Sequence, residues 1–568
     1  MIFRESLRRL LVILCCLAIP VVPATGGDTV QSGTPYACSS ITQSNLCPLI
    51  EAGRFNDLRR PDFSDLRTDV RDFYLPFDYA LAWTRDGQPT PQARSMIRLL
   101  EDAGQKGLQS EDYDGLFWKD RIARLVPPAP PAAPADLARF DLALTVSVMR
   151  YVSALHNGRV NPRRLQLGLD IENKRYKLAD FLGSRLMQAQ DVKSIVDQVE
   201  PAYEGYRRTE AALQHYLILV SEGEGDPLPP FVKTVKPGEP YSGLPQLAKR
   251  LQRLGDLQQE AATATQIPVY QDPLVEAVKH FQKRHGLPAN GFIDRPTFTQ
   301  LTTPLSRRVL QLQLTLERWR WLPPDLPLRL IAVNVPEFQL RAYDDHHPSL
   351  TMPVVVGKAF PEHQTPVFQD KMEYLIFRPY WNVPIGITRK ELIPEIRKNP
   401  GYLAKHGFEV VTRKGQVIAS NVPDVVLLAK LRSGELEIRQ RPGPGNSLGL
   451  IKFVFPNNYD VYLHGTPEHA LFARAHRAFS HGCIRVEDPE TLAAWVLKDD
   501  PSWTSGRIQS AMNATDSLRV NLPKPIAVLV LYGTAIVEEN ADVHFLEDVY
   551  GQDAKLERAL AAGYPYPR

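Results

Sequence analysis

The stretch HGTPEHALFARAHRAFSHGCIRV, His464 to Val486, decides how the C-terminal half of the chain folds and what chemistry it can carry. DVYLH alternates apolar and polar residues up to His464, and CIRV does the same from Cys483, so both ends read as strands. The two positions lie 19 residues apart (483 − 464 = 19), enough for a loop and one short helix that return the chain beside His464. Nucleophilic catalysis by a thiol needs a thiolate, a base within hydrogen-bond reach and donors for an oxyanion. Cys483 supplies the thiol. His464, at a strand end and before a glycine, projects its ring from the sheet edge into a cleft. An imidazole there lowers the thiol pKa and holds the thiolate ready at neutral pH. Gly482 lets a substrate carbonyl approach the backbone, and the amides around Cys483 form the oxyanion hole. His469 and His476 lie among Ala, Leu, Phe and Arg and read as surface or packing residues. There is no HExxH, and His464 and His469 are five apart, off one helical face, so neither a metal nor another cofactor is expected.

Around this stretch the pattern is that of strands. LRLIAVNVPEFQLRAY from Leu328, TMPVVVG, KMEYLIF and LGLIKFVF alternate apolar and polar residues and are rich in Val, Ile, Phe and Tyr. Pro456-Asn457-Asn458 joins LGLIKFVF to DVYLH as a turn. Residues 388–445 contain helical pieces, ITRKELIPEIRK and VPDVVLLAKL, and read as an insertion over the sheet, a candidate lid. A helix follows from Asp488 to Leu497, and PIAVLVLYGTAIV returns the tail to strand.

Upstream the periodicity changes to 3.6. RSMIRLLEDA and LALTVSVMRYVSAL carry apolar residues at helical spacing on either side of the loop VPPAPPAAPA, and a Pro/Gly-rich stretch from Gly225 to Pro245 marks a domain boundary. Residues 244–304 form a three-helix module. Leu244, Leu247, Leu251 and Leu254 share one face. Asp272 caps a second helix with Pro273 at its first position, Gly286 suits a left-handed end, and Asp294 before Pro296 starts the third.

The 568 residues exceed what one core sustains, so several domains are expected: 27–50 a flexible arm, 51–240 helical, 241–306 the module, 307–515 the strand-rich domain with 388–445 inserted, and 516–568 a C-terminal segment. Residues 1–26 read as a signal peptide, with Arg4, Arg8 and Arg9 before a 13-residue apolar run, Leu10 to Val22, too short to span a bilayer comfortably. A net charge of +3 is too small to argue for nucleic acid. Of five cysteines, Cys15 and Cys16 lie in the apolar run. Cys38 and Cys47 read as a structural disulfide of an exported protein, and Cys483 is left without a partner.

His-Gly-Thr followed by Ser-His-Gly-Cys-Ile-Arg resembles the signature of the L,D-transpeptidase catalytic domain. Further matches are Val356-Gly357 with Thr365-Pro366, PYWNVP from Pro379, Arg439 to Gly443, and Leu448-Gly449. AVKHFQKRHGLPANGFIDRPTFTQL resembles the peptidoglycan-binding module of wall enzymes, and LPFDYALAWTRDGQPTPQA with GLQSEDYDG resembles the helical scaffold of the large periplasmic members. The fold implied is multidomain α+β: scaffold, module, and a mainly β catalytic domain with a partly helical lid.

The resemblance implies a periplasmic enzyme of a Gram-negative bacterium. Cys483 would attack the carbonyl between the third residue and D-Ala of a tetrapeptide stem, and the amine of a second stem would resolve the thioester into a 3→3 crosslink. His464 would be the base, with His481 second. Ser480, His481 and Gly482 would shape the site. Arg485 would orient the motif or bind a stem carboxylate, unless it only pairs with Glu487 or Asp488. Trp381, Asn382 and Tyr462 would meet substrate. Carbapenem β-lactams would be inhibitors and other wall-synthesis proteins candidate partners. Hydrolysis to an L,D-carboxypeptidase, attachment of a lipoprotein to the wall, and a silent wall-binding scaffold stay open alternatives.

Overall fold

The computed structural model describes residues 41–167, 169, 174–258, 269–399, 401–419, 424–564 and 566. The expected signal peptide and Cys38, and with it the Cys38–Cys47 pairing, lie outside the described residues. The arm expected over 27–50 ends instead in a helix, Ile41–Glu51, whose Leu46, Cys47 and Ile50 are buried in the scaffold core. The apolar spacing of those three residues explains it. The scaffold is organised around the helix Pro134–Asn157, which is apolar on nearly every side and therefore buried on nearly every side.

In the module the helices are Leu244–Arg253, Leu274–Arg284 and Arg295–Leu301. Asp294 accepts the N–H of Thr297 as the third cap, and Gly286 takes the left-handed conformation at φ +65°. The Asp272 cap does not form. Pro273 occupies the cap position, the helix starts at Leu274, and no side chain satisfies its first turn.

The strand-rich domain is a nine-stranded sheet in the order Ala478–Ser480, His347–Gly357, Ile484–Val486, Leu463–His464, Ile451–Val454, Phe368–Phe377, Leu518–Leu531, Leu330–Asn334, Gln339–Asp344. It closes on itself because Gln339–Asp344 also pairs with His347–Gly357. Its interior is filled by Ile331, Val333, Val354, Leu375, Phe453, Leu463, Ile484 and Val528, all fully buried. Leu518–Leu531 lies between Phe368–Phe377 and Leu330–Asn334, so the tail over 516–568 is integral to the catalytic sheet and not a separate segment. An apolar strand with hydrogen-bonding edges on both sides needs two neighbours. Pro489–Leu497 follows the site as a helix, capped by Asp488.

The insertion, the candidate lid, carries its own four-stranded sheet, Trp381–Asn382, Leu436–Gln440, Phe408–Thr412 and Val417–Ala419, so it begins at 381, before the expected 388. Helical pieces over Ile393–Lys398 and Val425–Ser433 cover it around a core of Ile393, Ile396, Leu403, Val410 and Ile438.

Helix Leu305–Trp319 joins the parts. It packs along Glu204–Ser221 of the scaffold and carries Glu317, which is fully buried. Glu317 accepts the backbone N–H groups of Arg159 and Val160 and the Arg159 guanidinium, with Arg320 3.9 Å away. Tyr564 donates to Asp65 and Tyr566 to Asp112, so this stretch docks on the scaffold. Removing one partner of a buried ion pair strands the other charge, at a cost on the order of 3–5 kcal/mol. Glu317→Ala is therefore expected to lower the midpoint of thermal unfolding clearly, read by scanning calorimetry; an unchanged midpoint would show that the joint does not depend on this carboxylate.

Candidate active site

The site is built by strand register. Leu463–His464 runs parallel to Ile484–Val486, with Leu463 beside Ile484 and His464 beside Arg485. On the other side His464 lies beside Lys452 of the antiparallel strand Ile451–Val454. Residues in one row share a face, and so do residues two apart along a strand. Lys452, His464 and Arg485 therefore form one row. Tyr462 and Cys483, two positions earlier on their strands, fall on the same face one diagonal step from His464. The connection between the strands contains a single turn of helix at His469–Leu471 and the short strand Ala478–Ser480.

Burial sets the electrostatics. His464 is buried, and its pKa is pulled down to about 3, first by loss of water and then by the Arg485 charge. Its Nδ1 stands 2.5 Å from the Gly465 carbonyl, which fixes the proton on that nitrogen and leaves Nε2 as the acceptor of a neutral ring. The Cys483 thiol is pushed up by burial, against hydrogen bonding from Tyr462 and the charge of Lys452, which both favour the thiolate. The thiol stands 3.6 Å from the Asp460 carbonyl. Among the described residues no hydrogen bond joins His464 to Cys483. The resting pair is thus a thiol and a neutral imidazole, where the sequence led us to expect a thiolate held ready. The reason is that both groups lose water together, and loss of water penalises each charged form.

The turn before Cys483 is held by a short chain of hydroxyl bonds. Ser480 Oγ donates to the Cys483 carbonyl (2.6 Å) and accepts the N–H of Gly482 (3.1 Å). Thr365 Oγ1 donates to the Gly482 carbonyl (2.8 Å) and accepts the N–H of Gly357 (2.9 Å). Gly482 sits at φ +118°, a conformation that L side chains rarely adopt, while a Cβ there would meet nothing closer than 3.7 Å. Glycine is required by the dihedral and not by crowding, and its N–H is already taken by Ser480. Behind His464, by contrast, Gly449 is packed against Gly465 so closely that a Cβ would come within 2.6 Å of backbone.

Other residues singled out from the sequence take different places. Arg485 pairs with Glu468, not with its neighbours Glu487 or Asp488. His481 lies beside His363, ring centroids 4.7 Å apart and the planes tilted by 42°, and its Nε2 lies 2.6 Å from Glu391 of the insertion, which it tethers to the rim. Lys390 makes a second tether to Glu362 at 3.5 Å. Trp381 packs in the lid against Phe408, ring centroids 6.2 Å apart, with Asn382 exposed beside it, so both serve the lid sheet first. Lys452 was missed. It reads as one polar residue of an alternating strand, yet its Nζ lies 3.7 Å from the centre of the Tyr462 ring and its charge reaches Cys483.

Residues 328–504 match the L,D-transpeptidase catalytic domain, residues 68–213 the family described as Scaffold domain, and residues 241–301 the "Putative peptidoglycan binding domain". Over 230 residues the chain is 31% identical to a "Putative L,D-transpeptidase" of Haemophilus influenzae, spanning 40% of this chain and 45% of that relative, less than half its length. A solved L,D-transpeptidase from Xylanimonas cellulosilytica is 13% identical, covering 53% of this chain and 99% of that one, with a TM-score of 0.17, and no argument rests on it.

Because Lys452 and Tyr462 are what hold the thiol pKa down, Lys452→Met and Tyr462→Phe should each move the inflection of the iodoacetamide alkylation rate of Cys483 to higher pH. A profile unchanged in both variants would mean that neither group acts on the sulfur.

Proposed function

We propose that this chain, which carries an L,D-transpeptidase catalytic domain behind a helical scaffold and a peptidoglycan-binding domain, crosslinks peptidoglycan stems 3→3 through a thioester on Cys483. The observation that carries the reading is the shared face of Cys483, Tyr462 and His464 beneath a tethered lid. The donor is a tetrapeptide stem, and the enzyme works in the periplasm, where such stems are found.

In the acylation step His464 Nε2 takes the thiol proton as the sulfur attacks the carbonyl between the third residue and D-Ala. The tetrahedral oxyanion is met by the Cys483 amide and the Tyr462 hydroxyl, since the Gly482 amide is occupied by Ser480. As the C–N bond breaks, His464 returns the proton to the amine of D-Ala, which leaves. The imidazole is neutral at working pH and so has a lone pair free for the proton, and the developing negative charge beside it favours the imidazolium that forms. In the second step a side-chain amine of another stem attacks the thioester, its proton passes to His464, and the thiolate leaves and is reprotonated. The row Lys452, His464, Arg485 gives the cleft a positive bias toward the carboxylates of the stems.

Purified chain incubated with disaccharide-tetrapeptide and read by mass spectrometry should yield dimers lacking one D-Ala. Cys483→Ala should abolish them, and His464→Ala should reduce the rate by roughly 10²–10⁴-fold, the usual contribution of a positioned base. Tripeptide without dimer would replace crosslinking by hydrolysis, and products in both variants would remove Cys483 from the mechanism. A carbapenem places its lactam carbonyl where the scissile one stands, so one equivalent should add to Cys483 in an intact-mass spectrum; a spectrum without an adduct would count against that placement.

A further inference from the structure

Away from Cys483, a cavity of about 240 Å³ opens where the module meets the scaffold and the joining helix. Its walls come from helices Leu244–Arg253 and Leu274–Arg284, from the end of Arg295–Leu301, from Tyr216 of the scaffold helix and from Arg308 of the joining helix. Positive charge exceeds negative on these walls: Lys249, Arg250, Arg253, Arg284 and Arg308 face Glu224 and Asp226. Three of the cations are neutralised directly, Arg284 by Asp256, Lys249 by Asp226 and Arg253 by Glu222. Arg250 and Arg308 have no carboxylate within ion-pair distance among the described residues. Arg250 donates to the carbonyls of Leu301 and Glu224, and Arg308 to Gln311 and to the backbone and side chain of Gln300, all neutral acceptors.

Arg308 is only 6% exposed, and burial pulls its pKa down to about 10. The Arg308 guanidinium meets only neutral groups, these amides and the Phe545 ring 4.8 Å from it, and an anion would supply the counter-charge it lacks. The same cavity holds the opposite orphan. Gln246 Oε1 is buried with no hydrogen-bond donor. An inorganic anion without a proton to donate, such as sulfate, answers the first need and not the second. A peptide end answers both, since it presents a carboxylate and, one residue earlier, an N–H. The apolar walls at Leu254, Phe281 and Leu301 accept a small side chain, and the volume lies below the ~300–1,000 Å³ that encloses drug-sized ligands, so one or two residues fit.

We propose that this cavity is a second ligand site, separate from the catalytic cleft, that takes the terminal carboxylate of a short peptide on Arg308 and Arg250 and its amide N–H on Gln246. A ligand so held touches the module, the scaffold and the joining helix at once, and thus fixes the module on the enzyme body as it binds.

The test is calorimetric titration of the full chain, in a buffer free of phosphate, with N-acetyl-D-alanyl-D-alanine and with the same dipeptide as its C-terminal amide. The choice of D-alanine rests on the proposed function; the need for a carboxylate does not. The acid should bind, and the amide should bind at least about tenfold more weakly, the usual worth of a charge-assisted hydrogen bond. Arg308→Gln should weaken the acid to a similar degree, and Cys483→Ala should leave its binding unchanged. The acid–amide comparison uses the unaltered protein, so it decides even if Arg308→Gln fails to fold. Equal binding of acid and amide, no binding of the acid, or inorganic phosphate binding more tightly than the acid would each overturn the assignment. Loss of binding in Cys483→Ala would place the ligand in the catalytic cleft and overturn it as well.

Discussion

The parallel pairing of Leu463–His464 with Ile484–Val486 is the constraint on which the site depends. Parallel neighbours cannot be joined by a tight turn, so the chain must leave the sheet at His464 and come back at Cys483. The returning segment is fastened on the way. Ala478–Ser480 adds to the end of His347–Gly357, and Ser480 and Thr365 then clamp the turn through Gly482. Register sets the faces. A slip by one residue would turn Cys483 into the barrel interior and Ile484 out to the cleft, so the buried Leu463 and Ile484 guard the exposure of the thiol.

The same burial that makes the register firm also sets the protonation of the pair. His464 is buried and the sulfur is partly so, and loss of water favours the uncharged form of each. Charge is supplied from the flanks, by Lys452 on one side and Arg485 on the other, with Glu468 balancing the latter. In the mechanism proposed above, activation of the thiol is left to the moment of attack, when the substrate carbonyl and the donors around it offer the charge a place to go.

Around this site the chain is bound together more tightly than a string of domains. Glu317 ties the joining helix to Arg159 of the scaffold, Arg318 meets Asp553 of the last helix, and the terminal tyrosines return to Asp65 and Asp112. The module is held by Arg284, which donates to the Val543 carbonyl of the tail, and by Arg308 on Gln300. Scaffold, module and catalytic sheet thus share polar joints, most of whose partners lie more than 150 residues apart in sequence.

Much of this was readable from sequence because local patterns carry it. Alternation located the strands, 3.6-residue periodicity the helices of the module, and the HGT and SHGC segments two neighbouring strands of one sheet. Where an expectation failed, the missing information was nonlocal. Residues 41–50 form a helix because the scaffold offers Leu46 and Ile50 a core. The tail completes the catalytic sheet because strands Phe368–Phe377 and Leu330–Asn334 leave a gap between them. Lys452 looks like any polar strand residue until the register sets it beside His464, and His481 looks like a base until the lid brings Glu391 to it. The sequence by itself determined which segments are strands or helices and that the strands carrying His464 and Cys483 belong to one domain. The tertiary structure alone decided their charge states, their neighbours and the cavity at Arg308, because desolvation and ion pairing depend on what packs around a group, which no window of sequence contains.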